Sequence, residues 1–145
     1  MASPVYGKQF IRFAETGLVA DADSFDQFTL VKIRAITPST TATEPPTLAL
    51  LNGAGEAFGV IQQDVPAVDP DKATTLARLA TVATSGLLLV SADGSNLQPQ
   101  GDPLKVDAQG RSSSAGGAVT VASTTPIIRQ QVVIGGVSMA LVSFN

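Results

Sequence analysis

Turn-forming residues are spread along the whole chain, and they leave room only for short structural elements. The 145 residues include 13 Gly and 9 Pro, with short runs rich in Val, Ile, Thr and Phe between them. No segment keeps a helical spacing of apolar residues for more than about two turns. Short β-branched runs between turn residues are typical of all-β domains. We therefore expect one all-β (mainly β) domain, which the chain length also suits.

The strongest single element is a β-hairpin at the C-terminus. Two apolar runs, 127–134 and 137–144, flank the pair Gly135-Gly136. Paired glycines between two such runs favour a two-residue hairpin turn, because both central residues of that turn take a positive φ. The sequence therefore predicts two long antiparallel strands at the end of the chain.

The two faces of this hairpin differ in what they are expected to contact. The register set by the turn places one alternating set of residues in the core and a second set, with Arg129 opposite Val142, on the other face. That second face is more apolar than a solvent face normally is, so we expect it to meet another element or another subunit. The candidate oligomer-interface residues are Ile127, Arg129, Val133, Val142 and Phe144.

The N-terminal region contains apolar residues without a clean period, interrupted by Gly7 and Gly17. Such a segment either packs as an ordinary extended segment on its own domain or acts as an arm that adds a strand to the sheet edge of a partner. We divide the chain into an extended N-terminal arm, residues 1–26, and a single β domain, residues 27–145. The candidate partner-binding residues of the arm are Val5, Tyr6, Phe10 and Phe13.

Between the two ends, the pattern predicts short strands separated by loops. A strand is expected over residues 27–36, and a Thr/Pro-rich linker over 37–46 follows it, since Pro cannot donate to a sheet ladder. Residues 69–71 (Asp-Pro-Asp) favour a helical turn that leads into a strand through Val82. Gly86 is expected to break the chain before the next apolar strand.

The composition lacks the side chains on which most catalytic and metal-binding sites depend. The chain contains no Cys and no His, so it has no thiol nucleophile, no thiolate metal site and no imidazole base. Only 14% of the residues are charged and the net charge is −3, with no basic run that would attract nucleic acid. We therefore expect a protein that is not an enzyme and that binds no cofactor, metal, small-molecule substrate or nucleic acid.

The sequence also predicts no export or membrane segment. The N-terminus lacks the apolar stretch after a basic start that defines a secretory signal. The uninterrupted apolar runs, such as 86–90, are far shorter than the ~20 residues that span a bilayer. We therefore expect a protein that is made in a cytoplasm and does not enter a membrane.

Two polar motifs match known ligand sites only in part. Asp21, Asp23 and Asp26 lack the central Gly and the distant Glu of a calcium loop, so we expect a solvated acidic turn. The segment 110–117 (GRSSSAGG) resembles the Arg-Ser-Ser motif of trimeric dUTP pyrophosphatases, all-β enzymes in which Arg and Ser contact phosphates. No acidic residue follows Asp107, and no tyrosine lies downstream of the motif. A soft Ser/Gly loop is therefore the favoured interpretation.

A different resemblance covers the middle of the chain. The segments 57–65 (AFGVIQQDV), 81–90 (TVATSGLLLV) and 100–111 (QGDPLKVDAQGR) form a recurrent pattern of strands and turns. This pattern resembles the small head decoration proteins, or cement proteins, of tailed bacteriophages of the lambda type. The resemblance extends over roughly residues 57–111 and does not include the N-terminal region or the C-terminal hairpin.

The resemblance implies both a fold and a function. Such proteins adopt a small β-tulip or barrel-like fold and assemble as homotrimers on the outer surface of the virion head, where they bridge neighbouring major capsid proteins. In that setting Val5, Tyr6, Phe10 and Phe13 become candidate capsid-binding residues. Low charge and a two-sided apolar hairpin are compatible with a protein whose surface is largely covered by neighbours. The resemblance thus implies a virion structural protein made in the host cytoplasm.

Two alternatives from other functional classes remain open at this point. One is a phage tail or fibre-associated β module that binds a host receptor, for which the Gly/Ser loops would be suitable. The other is a trimeric dUTP-hydrolysing enzyme, which rests on the Arg-Ser-Ser motif alone.

Overall fold

The described part of the protein consists of β-strands joined by turns and loops. The computed structural model describes residues 9–34, 45–69, 71 and 78–145, and no α-helix occurs among them. The prediction of a mainly β domain is confirmed. In chain order the strands are β1 Phe10–Val19, β2 Leu30–Ile33, β3 Leu48–Leu50, β4 Gly55–Glu56, β5 Gly59–Ile61, β6 Arg78–Ser91, β7 Lys105–Val106, β8 Gly117–Thr120, β9 Ile127–Ile134 and β10 Val137–Phe144.

The long strand β6 organises the main sheet. This sheet runs in the order β3-β2-β5-β6-β10-β9, and β1 also pairs with β6. Gly86 and Leu87 of β6 have partners in both β1 and β10, so these two strands lie on opposite edges of β6. The edge that carries β10 also carries β5, opposite Val82 and Ala83. All pairs in this sheet are antiparallel.

One half of the main sheet closes into a small barrel. β3 returns to β1 through a parallel bridge between Leu18 and Thr47, and the Leu18 N–H donates to the Pro46 carbonyl at 2.8 Å. The strands β1, β6, β5, β2 and β3 therefore form a closed ring, as the barrel-like expectation required. The buried interior residues of this ring are Val19, Phe25, Val31, Leu48, Ile61, Val65, Ala80 and Val82.

A second core lies between the main sheet and a small sheet of order β4-β8-β7. Here β10 contributes Val142, which is fully buried, and Phe144, which is 3% exposed. They pack in one cluster with Val106 and Val119 of the small sheet. The prediction that Val142 and Phe144 form an oligomer interface is therefore wrong. The apolar second face of the hairpin meets another layer of the same chain, which was the other possibility the pattern allowed.

The C-terminal hairpin has the predicted turn, but its register shifts partway along. Gly135 and Gly136 have φ values of 56° and 81°, which only a glycine pair adopts easily, so the two-residue turn is confirmed. A bulge then interrupts the ladder, and Val142 lies opposite Ile128 instead of Arg129. The extra residue lets Ile128 enter the second core and leaves Arg129 exposed.

Gly86 does not break the chain as predicted, because β6 continues through it. Ala83 and Leu88 both face the second core although they are five positions apart, so the strand changes face between them. Gly86 has a φ of +128°, and a Cβ built on it would lie 2.1 Å from the Phe10 carbonyl oxygen. The extra residue between Ala83 and Ser85 produces this change of face. The glycine permits the positive φ and the close approach of β1 next to it.

Candidate functional site

The first half of β1 presents large apolar side chains to solvent. Phe10 is 66% exposed, Phe13 is 61% exposed and Ile11 is 40% exposed. All residues from Phe10 to Thr16 are exposed, whereas Gly17 and Val19 are buried inside the barrel. The strand therefore has one end anchored in the barrel and one end that presents aromatic side chains to solvent.

This placement corrects the boundary that was predicted after residue 26. Phe10–Val19 pairs with β6 of its own chain along its whole length, so these residues belong to the main sheet and are not a separate arm. The missing apolar period has a physical reason, because register shifts near Phe13 interrupt the alternation of faces. Two of the candidate capsid-binding residues, Val5 and Tyr6, lie outside the described residues.

The outer edge of β1 has no strand partner over its exposed half among the described residues. The Leu18 N–H points away from β6, since it donates to Pro46. In an antiparallel ladder every second residue points its backbone groups the same way, so those of Thr16 and Ala14 also face outward. Such an edge can hydrogen-bond to an extended segment of another protein.

An apolar groove opens beside this edge. It has a volume of about 690 Å³, and its wall includes Phe13 of β1, Ile33 of β2 and Phe58. Val121 and Ala122, from the turn after β8, also line it. We call this space the β1 groove. The sequence did not predict this groove. The residues of its wall come from distant parts of the chain, and each resembles an ordinary strand or turn residue.

Three charged side chains line the β1 groove. The Arg12 guanidinium lies 5.7 Å from the centre of the Phe13 ring, close enough for a cation–π contact. Glu15 and Glu56 contribute carboxylates. The groove is therefore apolar at its walls and carries one more negative than positive charge, which favours a partner segment with apolar and basic side chains.

Glu56 supports the turn that forms one side of the groove. Its carboxylate accepts hydrogen bonds from the Thr120 hydroxyl and, at 3.2 Å, from the Ser123 N–H. Ala122 and Ser123 have positive φ values of 49° and 65°, which is a strained conformation for residues other than glycine. Chiefly the Thr120 hydroxyl, and then the Ser123 N–H, lower the pKa of Glu56 from its ordinary 4.5.

We expect this turn to loosen in acid. A carboxyl whose pKa is lowered by folding contributes stability that is present above its unfolded pKa and is lost as the pH falls through its folded pKa. The amide resonance of Ser123 should therefore titrate with a midpoint below 4.5. In Glu56→Gln that resonance should not titrate, and a midpoint at or above the ordinary value in the unsubstituted protein would contradict the assignment.

The Arg-Ser-Ser segment is part of the internal scaffold. Ser112 and Ser113 are fully or almost fully buried, and their hydroxyls donate to Gln98 at 3.1 Å and to Asp93 at 3.3 Å. The Arg111 Nε donates to Asp107 at 2.9 Å. Because these side chains already bond within the protein, the segment does not present the set of free donors that a phosphate would need.

The acidic turn after β1 is held by arginines. Arg78 donates to the carbonyls of Ala20, Asp23 and Pro66, and its guanidinium lies 3.9 Å from the carboxylate of Asp21. Arg34 forms an ion pair with the carboxylate of Asp23. The expectation of a solvated acidic turn is therefore modified. Most carbonyl and carboxylate oxygens of the turn bind the two arginines and so hold the loop in place. No group of three or more potential metal-ligating residues occurs among the residues the structure describes.

We expect Arg78→Met to lower the free energy of unfolding by about 2 kcal/mol, because hydrogen bonds to charged groups contribute about that much and three carbonyls would lose their donor. Urea unfolding measures the change. Arg129→Met is the matched control, since Arg129 is exposed on β9, and it should change stability by less than about 0.5 kcal/mol. Equal losses in the two variants would show that Arg78 does not fasten the loop.

No family model, curated protein or solved structure matches the chain. No helix in the described ranges is long and apolar enough to cross a membrane.

Proposed function

We propose that this protein binds the outer surface of a bacteriophage head as a homotrimer and stabilises the contacts between neighbouring major capsid proteins. The observation that carries the proposal is the exposed half of β1, where Phe10 and Phe13 stand beside an unpaired sheet edge and an apolar groove. Its role is structural, without catalysis or a cofactor, and its location is the virion after synthesis in the host cytoplasm.

The segments that resemble decoration proteins form the scaffold that supports this surface. Residues 57–65 include β5, and residues 81–90 lie within β6, which holds β1 in place. Gly59 is the first residue of β5, which pairs with β6. A Cβ built on Gly59 would be 2.2 Å from the Ala83 carbonyl oxygen. The resemblance therefore concerns the part of the chain that positions β1, while exposure and edge geometry support β1 as the proposed capsid contact.

The mechanism we propose is noncovalent bridging. An extended segment of capsid protein adds to the outer edge of β1, where Ala14 and Thr16 offer outward backbone groups, and an apolar side chain enters the β1 groove. Phe10 and Phe13 become buried in the contact, and burial of a large aromatic side chain contributes about 1.5–3 kcal/mol. Three such contacts on one rigid trimer raise the effective concentration for the second and third, so each contact need not be strong.

Binding to heads tests the proposal directly. The probe is a purified phage head assembled from major capsid protein alone, and cosedimentation reports binding. At saturation, the proposal expects three copies of the protein at each threefold position of the head. Imaging of the labelled protein on whole phage particles separates the alternatives, since label at the tail end only would favour the receptor-binding module. Hydrolysis of dUTP with release of pyrophosphate would favour the enzyme.

A further inference from the structure

One exposed asparagine of the chain stands directly before a glycine. The pair Asn52-Gly53 lies between β3 and β4, and Asn52 is exposed to solvent. An Asn-Gly pair is common in the two-residue turn of a hairpin, where the paired strands fix both residues. Here β3 pairs with β2 in the main sheet and β4 pairs with β8 in the small sheet. The pair therefore lies in an open connection between two sheets and does not form a hairpin turn.

No hydrogen bond to another residue in the described ranges restrains the side-chain amide of Asn52 or the backbone N–H of Gly53. Gly53 has a φ of +129°, and no heavy atom lies within 4 Å of a Cβ built on it. A glycine also has no side chain that would shield its own backbone nitrogen. The carboxamide carbon of Asn52 and the nitrogen of Gly53 can therefore approach each other without breaking a contact of the fold.

Two comparable sites in the turn after β6 are held in place. The Asn96 side-chain amide donates to the Asp93 carboxylate at 3.0 Å, and the bulky Leu97 follows Asn96 in the chain. Asp93 itself precedes Gly94, but its carboxylate accepts two further hydrogen bonds, at 3.1 and 3.3 Å. Asn52 thus differs from both, because it combines a free side chain with a following glycine.

We propose that Asn52 is a modification site that converts spontaneously to aspartate and isoaspartate. The Gly53 nitrogen loses its proton to hydroxide and attacks Cγ of Asn52, so that an N–Cγ bond closes a five-membered imide. The Cγ–Nδ2 bond breaks, and ammonia leaves with a proton taken from water. Water then opens the imide at Cγ to give aspartate, or at the main-chain carbonyl of Asn52 to give isoaspartate. Either product adds one negative charge to a chain whose net charge is −3.

Incubation of the folded full chain in heavy-oxygen water at mildly alkaline pH tests the site. Peptide mapping by mass spectrometry, after digestion in acid, reports the labelled acid that replaces each amide. We expect conversion at Asn52 to be at least about tenfold faster than at Asn96, whose amide is held away from the geometry of attack. Asn52→Gln is the matched control, because its longer side chain cannot close the five-membered ring. The acidic species that ion exchange resolves should therefore be absent from this variant.

The rate in the guanidinium-unfolded chain measures how far the fold restrains Asn52. Since the loop leaves both reacting groups free, folding should slow the conversion by less than about tenfold. A greater slowing, conversion of Asn96 as fast as that of Asn52, or an acidic species that forms equally fast in Asn52→Gln would each overturn the inference. Binding to heads plays no part in these measurements, so their outcome is independent of the capsid role.

Discussion

Gly86→Ala is expected to lower the stability of this protein more than any other single methyl addition discussed above. Gly86 has a φ of +128°, and an added Cβ would meet the Phe10 carbonyl oxygen at 2.1 Å. Both atoms belong to paired strands, so neither can move without breaking the ladder between β1 and β6. We expect a loss of about 4 kcal/mol in the free energy of unfolding, made up of backbone strain and the steric clash.

Gly53→Ala separates these two contributions. Gly53 has a nearly identical φ of +129°, but no heavy atom lies within 4 Å of its added Cβ. This control should therefore lose only the backbone strain, about 2 kcal/mol. Chemical unfolding gives both values, and hydrogen exchange should show loss of protection in β1 for Gly86→Ala alone. Equal losses in the two variants would mean that the approach of β1 to Gly86 is not tight in solution.

The second large effect concerns the exposed aromatic side chains of β1. Phe10→Ser and Phe13→Ser, made together, should reduce the affinity for heads at least a hundredfold, because removing two buried aromatic anchors from each contact site costs about 1.4 kcal/mol or more per ring. The effect should not reflect unfolding, since both side chains are more than half exposed in the free protein. Cosedimentation with heads measures the affinity.

Leu79→Ser provides the control for this pair. Leu79 is 54% exposed on β6, so its replacement removes similar apolar surface from a different place. Head binding should be unchanged in this variant, and thermal unfolding should be similar in all variants. Binding that survives the loss of both phenylalanines would show that the capsid contact does not use β1.

The parts of the fold that depend on local chemistry were predictable from the sequence. Gly135-Gly136 specified the hairpin turn, because a two-residue turn needs a positive φ at both central positions. The even distribution of turn residues likewise indicated a mainly β domain. In both cases the determining interaction lies within a few residues of the signal.

The parts that depend on bulges and distant layers were not predictable. One extra residue near Arg129 shifts the hairpin register, and nothing in the sequence marks that position. Val142 and Phe144 are apolar on what looked like an outer face, but the small sheet formed by β4, β8 and β7 covers them. Gly86 correctly indicated irregular backbone, since its φ is +128°, but the strand continues through it, and the register shift on β6 lies beside it, between Ala83 and Ser85.

The candidate site was predictable only in its aromatic residues. The sequence indicated Phe10 and Phe13 as candidate binding residues because they are apolar and follow no strand or helix period. In the structure both side chains are exposed. The β1 groove depends on Ile33 and Phe58, which any reading of the sequence would assign to the core of their own strands. A groove of this kind arises from the closure of the barrel, which brings together segments that are far apart in the chain.

Electron cryo-microscopy of heads incubated with the protein is the most direct test of the capsid role. The account predicts threefold density on the outer surface between neighbouring capsid subunits, with β1 facing the capsid. Heads whose outer surface remains bare under saturating protein would contradict it.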